Sequence, residues 1–105
     1  MIIYVNILIE NLFDRNEYLI DVQKGIIDIN GTIQPIENDI IWDLSGYFVN
    51  WDKEYISNNI IDGEEFFIEI KTSDNITRFH GKGSYPDNYL SFKLFLEKLK
   101  CVKNS

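Results

Sequence analysis

The sequence predicts an α+β fold, an antiparallel sheet of five to six strands covered on one face by a C-terminal helix. Several segments alternate apolar and polar residues with a period of two, which is typical of half-buried strands. The chain contains no alanine, the strongest helix former, so β structure is favoured by default. Near the C-terminus, apolar residues instead recur at steps of three and four, which predicts an amphipathic helix.

Length and composition indicate one packed domain over residues 1–105. The chain is 45% hydrophobic and holds 15 aromatic residues, which argues for a packed core and against disorder. A chain of 105 residues buries roughly 65% of its unfolded surface without disulfides or metals. No internal repeat or linker is visible.

The first third of the chain predicts a meander of strands. Apolar residues occupy both faces of Ile3–Glu10, so this strand is expected to be central and covered on both sides. A second strand follows at Tyr18–Gln23, and shorter ones at Ile26–Ile29 and Thr32–Gln34. Asn30-Gly31 is a type I′ turn signal between the short strands. Pro35 confines the last one to an edge or ends it.

The segment from Glu37 to Asn59 has two interpretations. Some of its apolar residues fall at helical spacing, namely Leu44, Tyr47, Phe48, Trp51 and Tyr55. The alternative is a strand through Ile40–Leu44 followed by an aromatic loop. We favour a strand near Asp39–Trp42 and then a short, irregular helix with Asp43 as its N-cap.

The last third predicts strand, turn, strand, loop and helix. Strands at Glu65–Lys71 and Ile76–Gly81 flank the turn residues Asp74-Asn75. Thr77 and Phe79 share a face with Ile70, since both possible turn lengths preserve parity. The helix is expected from Pro86 to about Leu99, and its apolar stripe comprises Tyr89, Phe92, Phe95, Leu96 and Leu99.

Two features here invite a chemical interpretation. Glu69 lies opposite His80 in one register of the hairpin and opposite Arg78 in the other, and either arrangement makes a cross-strand polar pair. The run Gly81-Lys-Gly-Ser84 lacks the spacing of a phosphate-binding loop. Its glycines are expected to let the chain reverse with unusual dihedral angles.

The residue inventory argues against an enzyme, a cofactor or a metal. One His and one Cys nearly exclude a zinc site, and no serine has a nucleophile-elbow context. Neither a calcium loop nor a dinucleotide-binding glycine motif occurs. The lone Cys101 cannot form an internal disulfide, and the opening apolar stretch is too short for a signal peptide or membrane span. We therefore expect a cytoplasmic protein.

Charge is distributed unevenly. Residues 1–70 hold 14 acidic and 3 basic residues, a net charge of −11, whereas residues 71–105 carry +4. The segment 37–65 has 8 acidic residues against Lys53 alone. Such a field repels nucleic acid and attracts basic partners. An acidic-aromatic binding surface is the predicted site, and it comprises Asp39, Asp43, Tyr47, Trp51, Asp52, Glu54 and Tyr55. For each aromatic residue, core packing is the alternative fate.

In general character the chain resembles the small acidic immunity proteins of bacterial toxin systems. The features that carry this resemblance are the acidic, aromatic middle, Trp42 to Tyr55, and the closing strand–turn–strand–loop–helix unit with Gly81-Lys-Gly-Ser-Tyr-Pro-Asp-Asn88. The resemblance implies a cytoplasmic inhibitor that binds and blocks a toxin domain. The basic C-terminal third departs from a uniformly acidic nuclease inhibitor.

The sequence is compatible with three functions. The first is a non-enzymatic inhibitor that docks its acidic-aromatic surface onto a basic protein. The second is a structural or regulatory homodimer, joined through a sheet edge or the Phe67 side. The third is a phage-encoded DNA mimic that inhibits a nuclease and carries its carboxylates on one face.

Overall fold

A computed structural model describes residues 1–57 and 63–101, except for the side chain of Cys101. The described part contains seven strands and two helices. In chain order they are β1 (Ile2–Glu10), β2 (Arg15–Asp21), β3 (Ile26–Ile29), β4 (Thr32–Pro35), α1 (Asn38–Tyr47), β5 (Glu54–Ile56), β6 (Glu65–Thr72), β7 (Ile76–Lys82) and α2 (Tyr89–Cys101).

The strands form one sheet in the order β4-β3-β2-β1-β6-β7-β5. Every neighbouring pair is antiparallel except β5 and β7, which run parallel. The α+β class and the mostly antiparallel sheet are confirmed, but the sheet has seven strands where five to six were expected. The unforeseen strand is β5, three residues long, which lies in the segment expected to be helix or loop.

The predicted turns join the strands as expected. Asn30 and Gly31 both have positive φ, 52° and 93°, as a type I′ turn requires. The β6–β7 turn is closed by Thr72, whose N–H donates to the carbonyl oxygen of Asn75 at 2.9 Å. In the resulting register Ile68 pairs with Phe79 and Ile70 with Thr77 on the core face, which confirms the predicted parity.

The middle of the chain corrects the sequence interpretation. Residues 39–42 belong to α1 and not to a strand, and the residue at the N-cap is Glu37, not Asp43. The helix ends at Tyr47, so the expected helical periodicity does not continue to Tyr55. The face of α1 that packs on the core consists of Ile40, Ile41, Leu44 and the following Phe48. Burial of this face outweighs the strand preference of the β-branched isoleucines.

The C-terminal helix packs on the sheet as predicted. Its buried side chains are Tyr89, Phe92, Leu96 and Leu99, and Phe95 is half-buried. The helix begins three residues later than expected, at Tyr89, because the Pro86–Asn88 segment forms a turn before it. Gln34 Nε2 donates to the carbonyl oxygen of Leu99 at 3.0 Å and ties the helix end to β4.

The buried residues of both helices belong to the same core cluster as Val5, Ile7 and Ile9 on one face of the sheet. The molecule is 20 Å thick in its shortest dimension, the thickness of one sheet layer and one helix layer. We call the other side of the sheet the open face. The central position of β1 is confirmed, but its expected cover on both sides is wrong, since Tyr4 and Leu8 on the open face are partly exposed. Neither helix is long and apolar enough to cross a membrane in the described ranges.

Candidate functional site

The end of α1, the loop after it and the turn before α2 enclose a cleft of about 450 Å³. We call it the acidic cleft, and its principal lining residues are Tyr47, Trp51, Asp52, Tyr55, Tyr85 and Asp87. Four aromatic rings and two carboxylates therefore meet in one depression, and none of the lining residues that the structure describes is basic. Such a composition suits an interface anchored by aromatic groups and rimmed by negative charge.

Hydrogen bonds hold the walls of the cleft in place. The indole Nε1 of Trp51 donates to Asn88 Oδ1 at 2.7 Å. Asn88 Nδ2 in turn donates to the carbonyl oxygen of Tyr47 at 3.0 Å. The N–H of Asp52 donates to the hydroxyl oxygen of Tyr55 at 2.8 Å. Because these bonds join α1, the following loop and the turn before α2, the cleft is organised before any partner binds.

Trp51 belongs to the cleft and to the core at once. Its ring makes edge-on contacts with Phe48, Phe92 and Phe79, at centroid distances of 4.9, 5.3 and 5.7 Å. The side chain is half-buried, and so are Tyr47 and Tyr55. Each of the three therefore packs against the core and also lines the cleft.

The structure divides the predicted site residues among three places. Tyr47, Trp51, Asp52 and Tyr55 line the acidic cleft. Asp43 lines a shallower depression that continues from it past Tyr47 and Asn88.

Asp39 and Glu54 lie outside the cleft. Asp39 is exposed in the first turn of α1. Glu54 is separated from the others, because its register with His80 puts it on the open face. Tyr55, its neighbour, faces the opposite side because successive strand residues alternate.

The site prediction missed the residues that the segment before α2 contributes to the cleft, among them Tyr85, Asp87 and Asn88. Tyr85 precedes the point where the sequence predicted the helix to begin, and Asp87 and Asn88 fall in its expected first turn. Their approach to Trp51 depends on how α2 packs beside α1, so spacing along the chain gave no sign of it.

Trp42 extends the aromatic surface along α1. Its side chain is 77% exposed, although tryptophan is usually highly buried. It stands between Asp39 and Asp43 in the helix sequence, one turn before Gly46 at the cleft. The outer side of α1 thereby adds an exposed ring and two carboxylates to the acidic cleft.

The open face carries the polar pairs of the β6–β7 hairpin. Glu69 lies opposite Arg78, so the register that would have placed it opposite His80 is not the one adopted. Arg78 Nε donates to Glu69 Oε1 at 2.8 Å, and the Tyr4 hydroxyl donates to Glu69 Oε2 at 2.6 Å. These two hydrogen bonds hold the pKa of Glu69 below its usual value, the bond from Tyr4 having the larger effect.

His80 has a different carboxylate partner from the one considered. Its Nε2 lies 2.7 Å from Glu65 Oε2, and its ring stacks on Phe67 with centroids 4.6 Å apart. No Ser, Thr or Cys hydroxyl or thiol group bonds to His80 in the described part of the chain. The geometry is that of a cross-strand polar pair rather than of an activated nucleophile.

No protein-family model matches this chain, and no curated protein or solved structure is significantly similar to it. The resemblance to immunity proteins therefore stays a prediction.

A third polar cluster joins Glu64, the residue before β6, to α2. Tyr89 Oη and Lys93 Nζ donate to the two carboxylate oxygens of Glu64, at 2.6 and 2.8 Å. The Tyr85 hydroxyl donates to the carbonyl oxygen of Glu64 at 2.7 Å. Burial, and then the bond to Glu64, raises the pKa of Tyr89 well above its usual value. These bonds anchor the turn that carries Tyr85 and so support one wall of the acidic cleft.

Metal binding has no site among residues 1–57 and 63–100. There, no group of three or more His, Cys, Asp or Glu side chains is arranged to hold an ion. The acidic cleft has two carboxylates among its lining residues, Asp52 and Asp87, together with four aromatic side chains. Their arrangement suits attraction of a cationic protein surface.

Proposed function

We propose that this protein is a cytoplasmic, non-enzymatic inhibitor that docks the acidic cleft onto a basic protein partner. The observation that carries the proposal is the cleft itself, in which four aromatic residues and two carboxylates meet with no basic residue among the described lining residues. Hot spots of protein interfaces are enriched in Trp and Tyr, and they lie in well-packed pockets. The hydrogen bonds through Asn88 fix the Trp51 indole and the backbone of Tyr47 before binding, which lowers the entropy cost of association.

Charge gives this surface its preference for a basic partner. Asp52 and Asp87 line the cleft, and Asp39 and Asp43 continue the negative surface along α1. Long-range attraction between opposite charges raises the rate of encounter, whereas buried aromatic contacts slow dissociation. We therefore expect the carboxylates to speed association, and Trp42 and Trp51 to slow dissociation of the complex.

The immunity-type role is the part of the proposal that rests on resemblance. An immunity protein needs a preformed surface that can block a toxin domain, and the acidic cleft with the outer side of α1 supplies one. A toxin gene beside the gene for this protein would identify the partner directly. The toxin domain produced from that gene is the probe for the binding experiment.

The experiment compares charge removal inside and outside the cleft. The double variant Asp52→Asn/Asp87→Asn and the control Asp74→Asn/Glu97→Gln change the net charge equally, and all four residues are exposed. At low salt, the cleft variant is expected to associate with the toxin domain about 3- to 10-fold more slowly than wild type. The control variant should retain most of the wild-type rate, measured by surface plasmon resonance or stopped-flow fluorescence.

The aromatic arm of the experiment uses Trp42→Ser. Trp42 is 77% exposed, so its removal should change the free energy of unfolding by no more than about 0.5 kcal/mol. The same substitution should speed dissociation of the complex. Equal binding by wild type and by both the cleft and Trp42 variants would refute the docking surface. Absence of any basic partner in the source cell would refute the function itself.

No observation favours the DNA-mimic alternative over this proposal. A mimic of the DNA backbone needs its carboxylates in an array on one face. Here Asp52 and Asp87 lie at the cleft on the helix side, whereas Glu17 and Asp28 lie on the open face.

A further inference from the structure

The acidic cleft has the composition of a site for an organic cation. Its rings are those of Tyr47, Trp51, Tyr55 and Tyr85. Its volume of about 450 Å³ lies within the range of about 300–1,000 Å³ that is typical of ligand sites. The face of an aromatic ring carries partial negative charge, so several rings around one cavity attract a cation. An apolar ligand would leave the two carboxylates of the cleft without a counter-charge, whereas a cation uses both the rings and the carboxylates.

The polar atoms of three of these rings already have partners within the protein. Trp51 donates its indole N–H to a side-chain amide, and the Tyr85 hydroxyl donates to the carbonyl oxygen of Glu64. The hydroxyl oxygen of Tyr55 accepts the N–H of Asp52. These side chains therefore offer a ligand mainly their ring surfaces.

The rings are held in place from behind. Trp51, Tyr55 and Tyr85 all pack against the ring of Phe66, at centroid distances of 5.7, 6.4 and 6.3 Å. Phe66 is fully buried, so it forms a fixed support for all three. Tyr85 also stacks on Tyr89, with centroids 4.8 Å apart and planes inclined by 16°. A cation would therefore meet rings that are already ordered, which lowers the cost of binding.

Both carboxylates of the cleft belong to residues next to Trp51 or to its hydrogen-bond partner. Asp52 follows Trp51 in the chain, and Asp87 precedes Asn88, whose Oδ1 accepts the indole N–H. Both aspartates are exposed. The ion pairs among the described residues use other carboxylates, those of Glu10, Glu64, Glu65, Glu69 and Glu97. Within that part of the chain, no basic side chain neutralises the cleft.

Among organic cations, a guanidinium group uses both features of the cleft. Its plane stacks on aromatic rings, and its N–H groups can donate to a carboxylate two at a time. It is also more weakly hydrated than an ammonium group, so less hydration is lost when it enters a cavity. The ammonium group of lysine is a compact, strongly hydrated charge. A quaternary ammonium group has no N–H to donate, so it would use the rings alone.

We propose that the acidic cleft receives one arginine side chain of the partner protein, whose guanidinium group stacks on the rings and donates hydrogen bonds to Asp52 and Asp87. The inference rests on the proposed function, because it names the group of the basic partner that enters the cleft. Arginine is enriched with Trp and Tyr among the hot spots of protein interfaces, and the hot spots of two partners tend to pair.

The first measurement uses N-acetyl-arginine N-methylamide as the probe, at constant ionic strength. The chain has two tryptophans, so its ¹H–¹⁵N spectrum contains two indole signals, and Trp42→Ser identifies the one that belongs to Trp42. The arginine probe, added to about 50 mM, should shift the Trp51 signal with a dissociation constant on the order of 1–10 mM. The signal of Trp42, which lies outside the cleft, should not move. An unshifted Trp51 signal at the highest probe concentration would overturn the proposal.

Three other probes define the chemistry of the ligand. N-acetyl-citrulline N-methylamide has nearly the shape of the arginine probe without its charge, and it should cause no shift. N-acetyl-lysine N-methylamide and tetramethylammonium should each bind at least about 3-fold more weakly than the arginine probe. Equal binding by either of these two cations would show that guanidinium is not the preferred group. A shift caused by the citrulline probe would show that the cleft does not select for charge.

Variants of the two aspartates test the role of the carboxylates. Asp52→Asn/Asp87→Asn should weaken binding of the arginine probe about 5- to 10-fold. The control Asp74→Asn/Glu97→Gln removes the same net charge from exposed residues outside the cleft, and it should change the affinity by less than about 2-fold. Equal affinities of these two variants would contradict the proposed hydrogen bonds to the guanidinium group.

A pair of variants at position 85 tests the role of the rings. Tyr85→Phe and Tyr85→Leu both lose the hydroxyl that donates to Glu64, so the difference between them reports the ring alone. The phenylalanine variant should bind the arginine probe about 3- to 10-fold more tightly than the leucine variant. Circular dichroism establishes that both are folded, and if the leucine variant does not fold, Tyr55→Phe and Tyr55→Leu give the same comparison. Equal binding by the two members of a folded pair would contradict stacking on the ring.

Competition with the toxin domain separates this inference from the proposed function. If both are correct, the arginine probe should slow association of the toxin domain with the protein, and the citrulline probe should not. A toxin domain whose association depends on Asp52 and Asp87, together with an arginine probe that does not bind, would refute the arginine site and leave the proposed function standing. An arginine probe that binds the cleft without affecting the toxin domain would refute the docking function and leave the guanidinium site.

Discussion

Gly81 lies on β7 with its α-carbon against the ring of Phe66, and this contact makes a quantitative prediction. A Cβ atom at position 81 would come within 2.6 Å of Phe66 Cζ and 3.1 Å of Cδ2, with Cε2 nearer still. Carbon atoms in contact normally stand about 3.5–4.0 Å apart, so the ring or the strand has to move. Gly81 is therefore explained by the space that Phe66 occupies, and the unusual dihedral belongs to Gly83, whose φ is 76°.

Phe66 has little room to move. Its side chain is fully buried, and rings of Tyr89, Trp51 and Tyr85 surround it at centroid distances of 5.1, 5.7 and 6.3 Å. Over-packing of this kind costs about 1–3 kcal/mol. Replacing glycine by alanine in a strand recovers roughly 0.5–1 kcal/mol of that cost. We expect Gly81→Ala to lower the free energy of unfolding by about 1–2 kcal/mol.

The assay is urea unfolding followed by tryptophan fluorescence, and Gly46→Ala is the matched control. Gly46 is exposed in α1, and a Cβ there would meet nothing within 4 Å. The control should stabilise the protein by up to about 1 kcal/mol because alanine favours the helix.

The same substitution in a Phe66→Leu protein tests whether the contact between position 81 and the Phe66 ring causes the loss of stability. Leucine lacks the outer ring atoms of Phe66, so Gly81→Ala should cost little in a Phe66→Leu protein. A Gly81→Ala protein as stable as wild type, or an equal cost in both backgrounds, would refute the explanation.

Two further predictions concern alkaline pH and Asn88. Burial is the main cause that raises the pKa of Tyr18 to about 12, above the unfolded value of 10.0, and burial likewise raises the pKa of Tyr89. The tyrosines of the unfolded chain therefore ionise at lower pH than those of the folded protein, so stability is intact below pH 10 and falls as pH rises towards 12. Tyrosinate absorbance should show Tyr18 and Tyr89 ionising only together with loss of circular dichroism. Ionisation of both in the folded protein would contradict this. Asn88→Ala removes the acceptor for Trp51 and the donor to Tyr47, which should cost about 1–3 kcal/mol in urea unfolding. An Asn88→Asp control keeps the acceptor for Trp51, so its free energy of unfolding should lie between those of wild type and Asn88→Ala. An alanine variant as stable as wild type would refute the role of these bonds.

Most of the sheet could be predicted because its strands carry their own local signals. Alternation within β2, β3, β6 and β7, with turn residues such as Asn30-Gly31 between them, fixes which side chains face the core. The two possible turn lengths left two registers of β6 on β7, and both place the same side chains on the core face. Turn geometry chose between them, and it thereby replaced the Glu69–His80 pair with Glu69–Arg78.

The middle segment was mispredicted because local preference and tertiary burial disagree there. Ile40 and Ile41 favour a strand in isolation, yet in α1 they join Leu44 on one face against the core. The strand β5 could not be foreseen, since three residues carry no periodicity and its partner β7 is parallel.

The candidate site was predicted in part for a related reason. Tyr47, Trp51, Asp52 and Tyr55 are close in sequence and lie together in the acidic cleft. Glu54 has the right charge and the right neighbours but points to the open face, because strand geometry separates adjacent side chains. Asn88 is distant in sequence and completes the cleft through two hydrogen bonds.

The sequence by itself determined the α+β class, the strand periodicity, the C-terminal helix and the uneven charge, because each depends on residues that are neighbours along the chain. Tertiary structure alone decided which aromatic rings share the acidic cleft and that one face of the sheet stays open. Both outcomes depend on the packing of two helices on the same side of the sheet, and that packing brings together residues whose separation in sequence carries no signal.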